Sequence, residues 1–224
     1  MVKHLKDPRF KLVTDPKEAK IFWLTSAIRE EDNALSSYGV QESECYFNYF
    51  KAEQALVSKD HIAQLVKSTL KDRSCIMETF DLAWELPCFI GAFQGRAKKG
   101  LDNTWIVKPT NLARSIDTWV CNNADQVVRL METGPKIAQK YIDRPLTFQG
   151  RKFTLRYVVL LKSLLPLQLY RCNEFYTQFS NNKFNMSEST FLEYVTHFTV
   201  MNYGTALAMT NIRCEPWIEQ FDAE

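Results

Sequence analysis

Basic and polar side chains recur at every second position between Gly150 and Tyr157, a spacing that puts them on one face of a β-strand. They are Lys152, Thr154 and Arg156, and the residues between them are aromatic or aliphatic. Two cations at this spacing beside an apolar run fit the floor of an anion-binding cleft. The alternation is also typical of a half-exposed strand with a polar outer face, and periodicity by itself favours that simpler interpretation.

Two further stretches place polar side chains at the ends of apolar segments. Trp105–Val107 is typical of a strand, and it delivers Lys108 at its end, where a lysine suits a phosphate-facing charge. A helix that Asn123 or Asp125 can begin follows, and a glycine–proline pair ends it. Lys136–Ile142 then returns as a strand, which predicts an α/β unit with a loop over a bound ligand.

Four motifs, in this order, resemble the tubulin–tyrosine ligase-like family: Trp105–Pro109, Gln139–Ile142, Gly150–Phe153 and Arg156. The resemblance extends over residues 45–203. This family uses the ATP-grasp fold to ligate amino acids onto tubulin. The resemblance therefore implies an α/β (α+β) fold of the ATP-grasp class, in which two mixed or antiparallel sheets and their helices clamp a nucleotide cleft. It also implies ATP as the cofactor.

The resemblance assigns roles to the cations. Lys108 and Lys152 correspond to the family's nucleotide lysines. Arg156 corresponds to an arginine near the phosphate or the substrate carboxylate, and we predict it as the catalytic residue. An ATP-grasp ligase makes an acyl-phosphate from a carboxylate and ATP, which an amine then attacks. Because phosphoryl transfer depends on positioning and on neutralising phosphate charge, these cations match that chemistry.

The remaining predicted cofactor-binding residues are Arg114, Ser115, Gln139, Lys140, Tyr141, Ile142 and Thr154. Residues 139–142 match the hinge that hydrogen-bonds adenine through its backbone, and Tyr141 and Ile142 would supply the apolar surroundings of a purine. Arg114 and Ser115 lie in the loop after the Lys-Pro motif. Thr154 stands two positions after Lys152.

Four departures from the family pattern weaken the prediction of catalysis. The loop reads Arg114–Asp117 in place of Arg-Gly-x-Gly-Ile, so it lacks the glycines that let backbone N–H groups approach phosphates, and Asp117 adds a negative charge. Thr154 replaces an acid. No arginine lies in Glu174–Gln178, where the family contacts the incoming amino acid, and His197–Val200 lacks the asparagine of His-x-Thr-Asn.

The magnesium ligands are the largest gap. The family holds Mg²⁺ with an aspartate and a later Glu-x-Asn on an apolar strand. The one Glu-x-Asn of this sequence is Glu31–Asn33, in a polar stretch far upstream. We therefore predict no metal ligand in this chain, Mg²⁺ only where missing C-terminal ligands are supplied, and an ATP-grasp domain truncated in its C-terminal part, as in a fragment or an isoform.

Composition and charge exclude several other classes. The chain has 224 residues, is 46% apolar and carries a formal net charge of +2, so we expect no nucleic-acid partner. No apolar run is long enough to span a bilayer, and we expect no membrane partner. Six scattered cysteines without a Cys-x-x-Cys pair indicate a reducing compartment. We expect a cytoplasmic, cytoskeleton-associated protein, with the nucleus as the alternative, that binds tubulin or microtubules.

The motifs predict three domains. Residues 1–58 are the N-terminal portion of the ligase-like region, residues 59–142 the central ATP-grasp domain, and residues 143–224 an incomplete C-terminal ATP-grasp domain.

Within these domains we predict the following elements from spacing, caps and composition: a helix from Asp60 to Leu70, a basic loop over Gly95–Asn103, a strand at Phe153–Leu161 whose later part is buried, an antiparallel partner at Leu167–Arg171, and a helix over Ser187–Val195.

Three functions fit these observations. The one we favour is a ligase-like protein with impaired catalysis that modulates tubulin tyrosination or glutamylation by binding rather than turnover, because several groups of one site are lost together. The alternative is an active ATP-dependent ligase that adds tyrosine or glutamate to tubulin tails in a full-length form. A plain binding module that kept only the fold is the third.

Overall fold

The computed structural model describes residues 6–24, 45–48 and 53–199. The chain divides into two compact units, Met1–Val57 and Ser58–Glu224. The domain boundaries predicted after residues 58 and 142 remain predictions. No helix in the described ranges has the length and apolar character needed to cross a membrane.

The first unit is small. Its described elements are a 3₁₀ turn at Pro16–Glu18, strand β1 at Ile21–Phe22, strand β2 at Tyr46–Phe47 and helix α1 at Gln54–Val57. The two strands are parallel, and the rings of Phe22 and Phe47 stack on each other at 5.4 Å between centroids.

The second unit holds the remaining described elements: α2 Lys59–Thr69, β3 Thr79–Asp81, α3 Leu82–Lys98, β4 Trp105–Pro109, β5 Trp119–Cys121, α4 Ala124–Leu130, β6 Lys136–Lys140, β7 Thr147–Phe148, β8 Arg151–Leu164, β9 Leu167–Phe179 and α5 Tyr194–His197, with 3₁₀ turns at Met131–Thr133 and Glu188–Thr190. The α/β class is confirmed.

A four-stranded antiparallel sheet in the order β3-β6-β4-β5 forms the centre of the second unit. Alternate residues of β4 point to opposite faces, so Trp105 and Val107 pack with helix α3 while Ile106 packs on the other face. Phe89 of α3 meets Trp105 edge to face, with 5.1 Å between ring centroids. The predicted strand at 105–107 is confirmed, the one predicted at 136–142 is confirmed over Lys136–Lys140 only, and β5 is an additional strand.

Helix α3 was not expected from the sequence, which predicts a basic loop where the helix ends. The Asp81 side chain caps it by accepting a hydrogen bond from the Ala83 amide. Pro87 follows a kink at Glu85, whose backbone leaves the helical region. The predicted loop over Gly95–Asn103 is therefore wrong in its first half, because the helix continues through Lys98.

Strands β8 and β9 form a long antiparallel hairpin, to which β7 adds a short third strand. The predicted pairing of these two strands is confirmed. The predicted burial is wrong, because Val158 is 64% exposed and Leu160 is 60% exposed. Pairing with β9 satisfies the strand edge but covers neither face, and Val159 on the opposite face is also 52% exposed.

The predicted helix over Ser187–Val195 is also wrong. A 3₁₀ turn and the four-residue α5 take its place. The Thr190 hydroxyl lies 2.7 Å from the Ser187 carbonyl oxygen and 3.0 Å from Asn185 Oδ1. Such local bonds from side chains compete with regular helical hydrogen bonding, which the capping-box spacing did not reveal.

Candidate nucleotide-binding site

Lys108 lies on the face of the central sheet that is opposite helix α3. The register pairs Lys108 with Ile137 and Ile106 with Gln139, so these four side chains share that face. Lys108 Nζ donates a hydrogen bond to Gln139 Oε1 at 2.7 Å, and Gln139 Nε2 donates to Thr79 Oγ1 at 2.9 Å. The ammonium group is thus held by a neutral acceptor whose orientation is fixed by a second hydrogen bond.

Lys152 reaches the same region from the second sheet. Its Nζ donates to the Tyr141 hydroxyl at 3.0 Å and to the His197 carbonyl oxygen at 3.2 Å. The ammonium also lies over the rings of Tyr141 and Phe184, 4.5 and 5.9 Å from their centroids. Two lysines predicted from the sequence, one from each sheet, are therefore brought together.

Lys59 adds a third cation that sequence analysis did not assign to the site. It begins helix α2, and its Nζ donates to the carbonyl oxygens of Pro109 at 3.0 Å and Leu112 at 2.6 Å. These carbonyls flank the start of the loop after β4, so Lys59 fixes this loop beside Lys108. Its position directly before a predicted helix was the signal that could have identified it.

The three lysines are electrostatically coupled. Burial, with the nearby charge of Lys59, lowers the pKa of Lys108 to about 8. Burial, with the charge of Lys108, lowers the pKa of Lys152 to about 8. Neither lysine forms an ion pair with a carboxylate of the described ranges. Buried cations without an acidic partner are a strong signal for an anion site.

The loop between β4 and β5 contains three residues with left-handed backbone conformations: Arg114, Ser115 and Asp117 have φ values of 58°, 55° and 51°. These are conformations that glycine adopts without strain and other residues adopt rarely. The Tyr194 hydroxyl donates to the Arg114 carbonyl oxygen at 2.8 Å and ties the loop to helix α5. The loop thus keeps a glycine-like geometry although its glycines are replaced.

Asp117 faces the protein and forms an ion pair with Lys136, which is almost fully buried. It also accepts hydrogen bonds from Trp119 Nε1 at 3.1 Å and Thr133 Oγ1 at 3.2 Å. The hydrogen bond from Lys136 is the main cause that holds the pKa of Asp117 below its usual value. The negative charge that Asp117 brings to the predicted phosphate loop is therefore balanced by Lys136.

The predicted hinge is partly occupied by the protein's own hydrogen bonds. The Lys140 amide donates to the Glu78 carbonyl at 2.7 Å, and the Tyr141 amide donates to the Thr104 carbonyl at 3.1 Å. Lys140 Nζ bonds to Asp102 and to two backbone carbonyls on the face away from Lys108. The residue Ile142 is 48% exposed, and in the described ranges its backbone amide has no protein acceptor.

Thr154 and Arg156 continue along β8 on the same strand face as Lys152. Thr154 Oγ1 lies 3.2 Å from Thr199 Oγ1, and the exposed Arg156 pairs through its backbone register with Tyr176. The predicted catalytic residue is thus farther out along the hairpin than the lysines.

A magnesium site does not fit the described residues, which contain no group of three or more His, Cys, Asp or Glu side chains placed to hold a metal ion. Glu31–Asn33 lies outside the described residues.

Two antiparallel sheets each contribute one of two electrostatically coupled lysines, an arrangement that fits the ATP-grasp class. A model of the tubulin-tyrosine ligase family matches residues 40–215. The chain belongs to the tubulin-tyrosine ligase family.

The proteins to which this chain is similar include a tubulin–tyrosine ligase-like protein, a tubulin polyglutamylase and a tubulin glycylase. The chain is 35% identical over 228 residues to tubulin–tyrosine ligase-like protein 12 of Mus musculus, covering 99% of this chain and 35% of that protein. It is 25% identical over 197 residues to a tubulin polyglutamylase of Homo sapiens, covering 85% of this chain and 21% of that protein. It is 30% identical over 111 residues to tubulin glycylase 3E of Tetrahymena thermophila, covering 45% of this chain and 8% of that protein. The chain spans about a third of the length of its relative in Mus musculus.

Proposed function

We propose that this chain binds ATP in the cleft between its two sheets and modulates tubulin tyrosination or glutamylation by binding rather than by turnover. The observation that carries the proposal is the set of three lysines, Lys59, Lys108 and Lys152, with only neutral partners for the last two. A polyphosphate supplies the negative charge that this arrangement lacks. Ile142, which is 48% exposed, would line the purine side and offer its amide as the donor, whereas the predicted contact from Tyr141 does not fit, because this side chain is 3% exposed and packs inside the protein.

Tubulin enters the proposal through the relatives, whose names describe ligase-like, polyglutamylase and glycylase proteins of tubulin. We propose that the whole protein binds tubulin or microtubules in the cytoplasm. Impaired turnover is supported by the sequence: Thr154 stands where the family has an acid, and Glu174–Gln178 contains no arginine. Site residues of this kind act together, so their joint loss is hard to reconcile with efficient phosphoryl transfer.

An active ligase is the second candidate, and two observations favour it. The β4–β5 loop keeps left-handed conformations at Arg114 and Ser115 without glycine. The charge of Asp117 is neutralised by Lys136 and does not oppose a phosphate. Two of the sequence's arguments against phosphate binding are therefore weakened.

The test incubates the full-length protein with tubulin, Mg²⁺, ATP and labelled tyrosine or glutamate. We expect no stoichiometric incorporation, and we expect ATP to protect the protein against thermal unfolding because a bound ligand stabilises the folded state. The proposal would be overturned in favour of the ligase if the wild-type protein incorporated label, the Lys152→Ala variant did not, and the Lys162→Ala control still did. Absence of both incorporation and thermal protection would leave only a binding module.

A further inference from the structure

A buried chain of hydrogen bonds leads inward from Lys152. Lys152 Nζ lies 3.0 Å from the Tyr141 hydroxyl, which lies 2.9 Å from His197 Nδ1. His197 Nε2 lies 3.1 Å from Thr190 Oγ1. The His197 side chain is buried, with 1% of its surface exposed, and Tyr141 and Thr190 are also buried.

The chemistry of the end groups fixes the direction of every bond in this chain. An ammonium group can only donate, so the Tyr141 oxygen accepts from Lys152 and its hydrogen points to His197 Nδ1. The Thr190 hydroxyl has two acceptors besides His197, the Ser187 carbonyl oxygen at 2.7 Å and Asn185 Oδ1 at 3.0 Å, so its hydrogen goes to one of these and its oxygen accepts from His197 Nε2. His197 is therefore neutral, with its proton on Nε2.

The opposite tautomer loses hydrogen bonds. A proton on Nδ1 would make His197 donate to Tyr141, whose own hydrogen would then face a lysine that cannot accept it. Thr190 would have to turn its hydrogen towards Nε2 and release the Ser187 carbonyl. The Ser187 carbonyl would still accept from the Thr190 amide at 2.9 Å, but the unpaired Tyr141 hydrogen in a buried place costs about 1–3 kcal/mol, which disfavours this arrangement.

We propose that Tyr141 and His197 are positioning residues that hold the Lys152 ammonium towards the cleft through this one-directional chain. The inference rests on the proposed binding of ATP, and it assigns to the hinge tyrosine a role in place of contact with a purine. Tyr141 supplies the acceptor that fixes the ammonium, and His197 supplies the acceptor that fixes the tyrosine hydroxyl. Lys152 also keeps the His197 carbonyl as a second acceptor.

The surroundings favour the neutral form of His197. Burial is the main cause that lowers the pKa of His197, and the charge of Lys152 lowers it further, while the charge of Glu193 and a hydrogen bond to the Thr190 backbone act in the opposite direction. Burial also raises the pKa of Tyr141, so its hydroxyl keeps the hydrogen that the chain requires. Lys152, Tyr141 and Glu193 are the titratable groups that face His197 in the described ranges.

The first test is nuclear magnetic resonance of the ¹⁵N-labelled full chain, which has three histidines. We expect His197 to show a protonated Nε2 and an unprotonated Nδ1 at pH 7.5. A proton on Nδ1, or a charged ring at this pH, would overturn the inference.

The second test compares Tyr141→Phe, which keeps the ring packing, with Tyr170→Phe, which removes an exposed hydroxyl of the hairpin. In Tyr141→Phe we expect the Lys152 ammonium resonance to broaden and inorganic tripolyphosphate to bind about tenfold more weakly, the effect of one hydrogen bond to a charged group. Tyr170→Phe should change neither the Lys152 resonance nor the affinity for tripolyphosphate. An unchanged Lys152 resonance in Tyr141→Phe would contradict the inference.

A third comparison separates positioning from packing. His197→Asn places an amide oxygen where Nδ1 accepts, so this variant should keep the sharp Lys152 ammonium resonance of the wild-type chain. In His197→Phe, which has no acceptor there, that resonance should broaden. Equal behaviour of the two variants would contradict the inference. If the wild-type chain bound no tripolyphosphate, the proposed function would fail, and the histidine and lysine resonances would still decide the hydrogen-bond chain.

Discussion

Lys108 and Lys152 are cations whose charge is costly for the folded chain, because burial lowers the pKa of both. The pKa of lysine in an unfolded chain is about 10.4, and in the folded chain both pKa values fall to about 8. Between these values the unfolded state binds more protons, so stability rises with pH. Below pH 8 both states carry the charge, and the folded state bears the full penalty of its burial.

We therefore predict that Lys108→Met raises the free energy of unfolding at pH 7 by about 1 kcal/mol, because it removes a buried charge of the kind whose desolvation is costly. The gain should shrink between pH 8 and pH 10, where the wild-type lysine loses its proton. Urea unfolding at pH 7 and at pH 10 measures both values. A gain that stays the same at the two pH values would contradict the assigned cause.

The same lysines predict how anion binding depends on pH. A phosphate prefers the charged lysines, so binding should be coupled to proton uptake and should weaken as the pH rises through about 8. Titration with inorganic tripolyphosphate at pH 6.5, 7.5 and 9 measures this dependence. In Lys108→Met the pH dependence should be smaller, and tighter binding at pH 9 than at pH 7.5 would contradict the prediction.

At the scale of single residues, the sequence predicted Lys108 and Lys152 because each stands at a fixed offset in a strand motif. It did not reveal Lys59 as part of the site, and it did not reveal the partner of Asp117. Both omissions concern contacts across long sequence separations: Lys59 bonds to Pro109 and Leu112, and Asp117 pairs with Lys136. A local pattern carries no information on such partners.

At the scale of elements, the β4–β5 loop stores strain that glycine would relieve. Ser115 has a φ of 55°, and glycine reaches this region without a steric penalty. We predict that Ser115→Gly raises the free energy of unfolding by about 0.5–1 kcal/mol, measured by urea unfolding. Asn111→Gly is the control, because Asn111 lies outside the left-handed region and its replacement should give no gain. Loss of stability in Ser115→Gly would contradict the described loop geometry.

The pair of Asp117 and Lys136 closes the same loop onto strand β6. Asp117→Asn leaves the buried Lys136 without its counter-charge and should lower the free energy of unfolding by about 2 kcal/mol. The double variant Asp117→Asn/Lys136→Met should recover most of this loss, since it also removes the stranded charge. Asp7→Asn, which breaks the exposed pair with Arg9, should have no measurable effect. A double variant no more stable than Asp117→Asn would exclude this account.

The elements themselves were predictable where a strong local pattern existed. Asn123 caps helix α4 through its bond to the Gln126 amide, and the strands at Trp105 and Lys136 follow apolar runs. Helix α3 was missed because Pro87 and two glycines argue against a helix, although the proline lies in its first turns, where it is tolerated. Burial of the hairpin was overestimated because an apolar strand is buried only where another layer covers it.

At the scale of the whole molecule, the family and the site support different conclusions. Membership of the tubulin-tyrosine ligase family fixes the ATP-grasp fold. The departures at Thr154 and Glu174–Gln178 motivate the proposal of binding without turnover, which belongs to the whole protein. The cleft with its three lysines is the part of that proposal that this chain can test alone.

The most direct measurement is a calorimetric titration of the full chain at pH 7 with ATP and with AMP. We predict one site that binds ATP at least tenfold more tightly than AMP, because three lysines favour the longer phosphate chain. Lys152→Ala should abolish this preference, and Lys162→Ala, on the same strand, should retain it. Equal binding of ATP and AMP, or an unchanged preference in Lys152→Ala, would contradict the account.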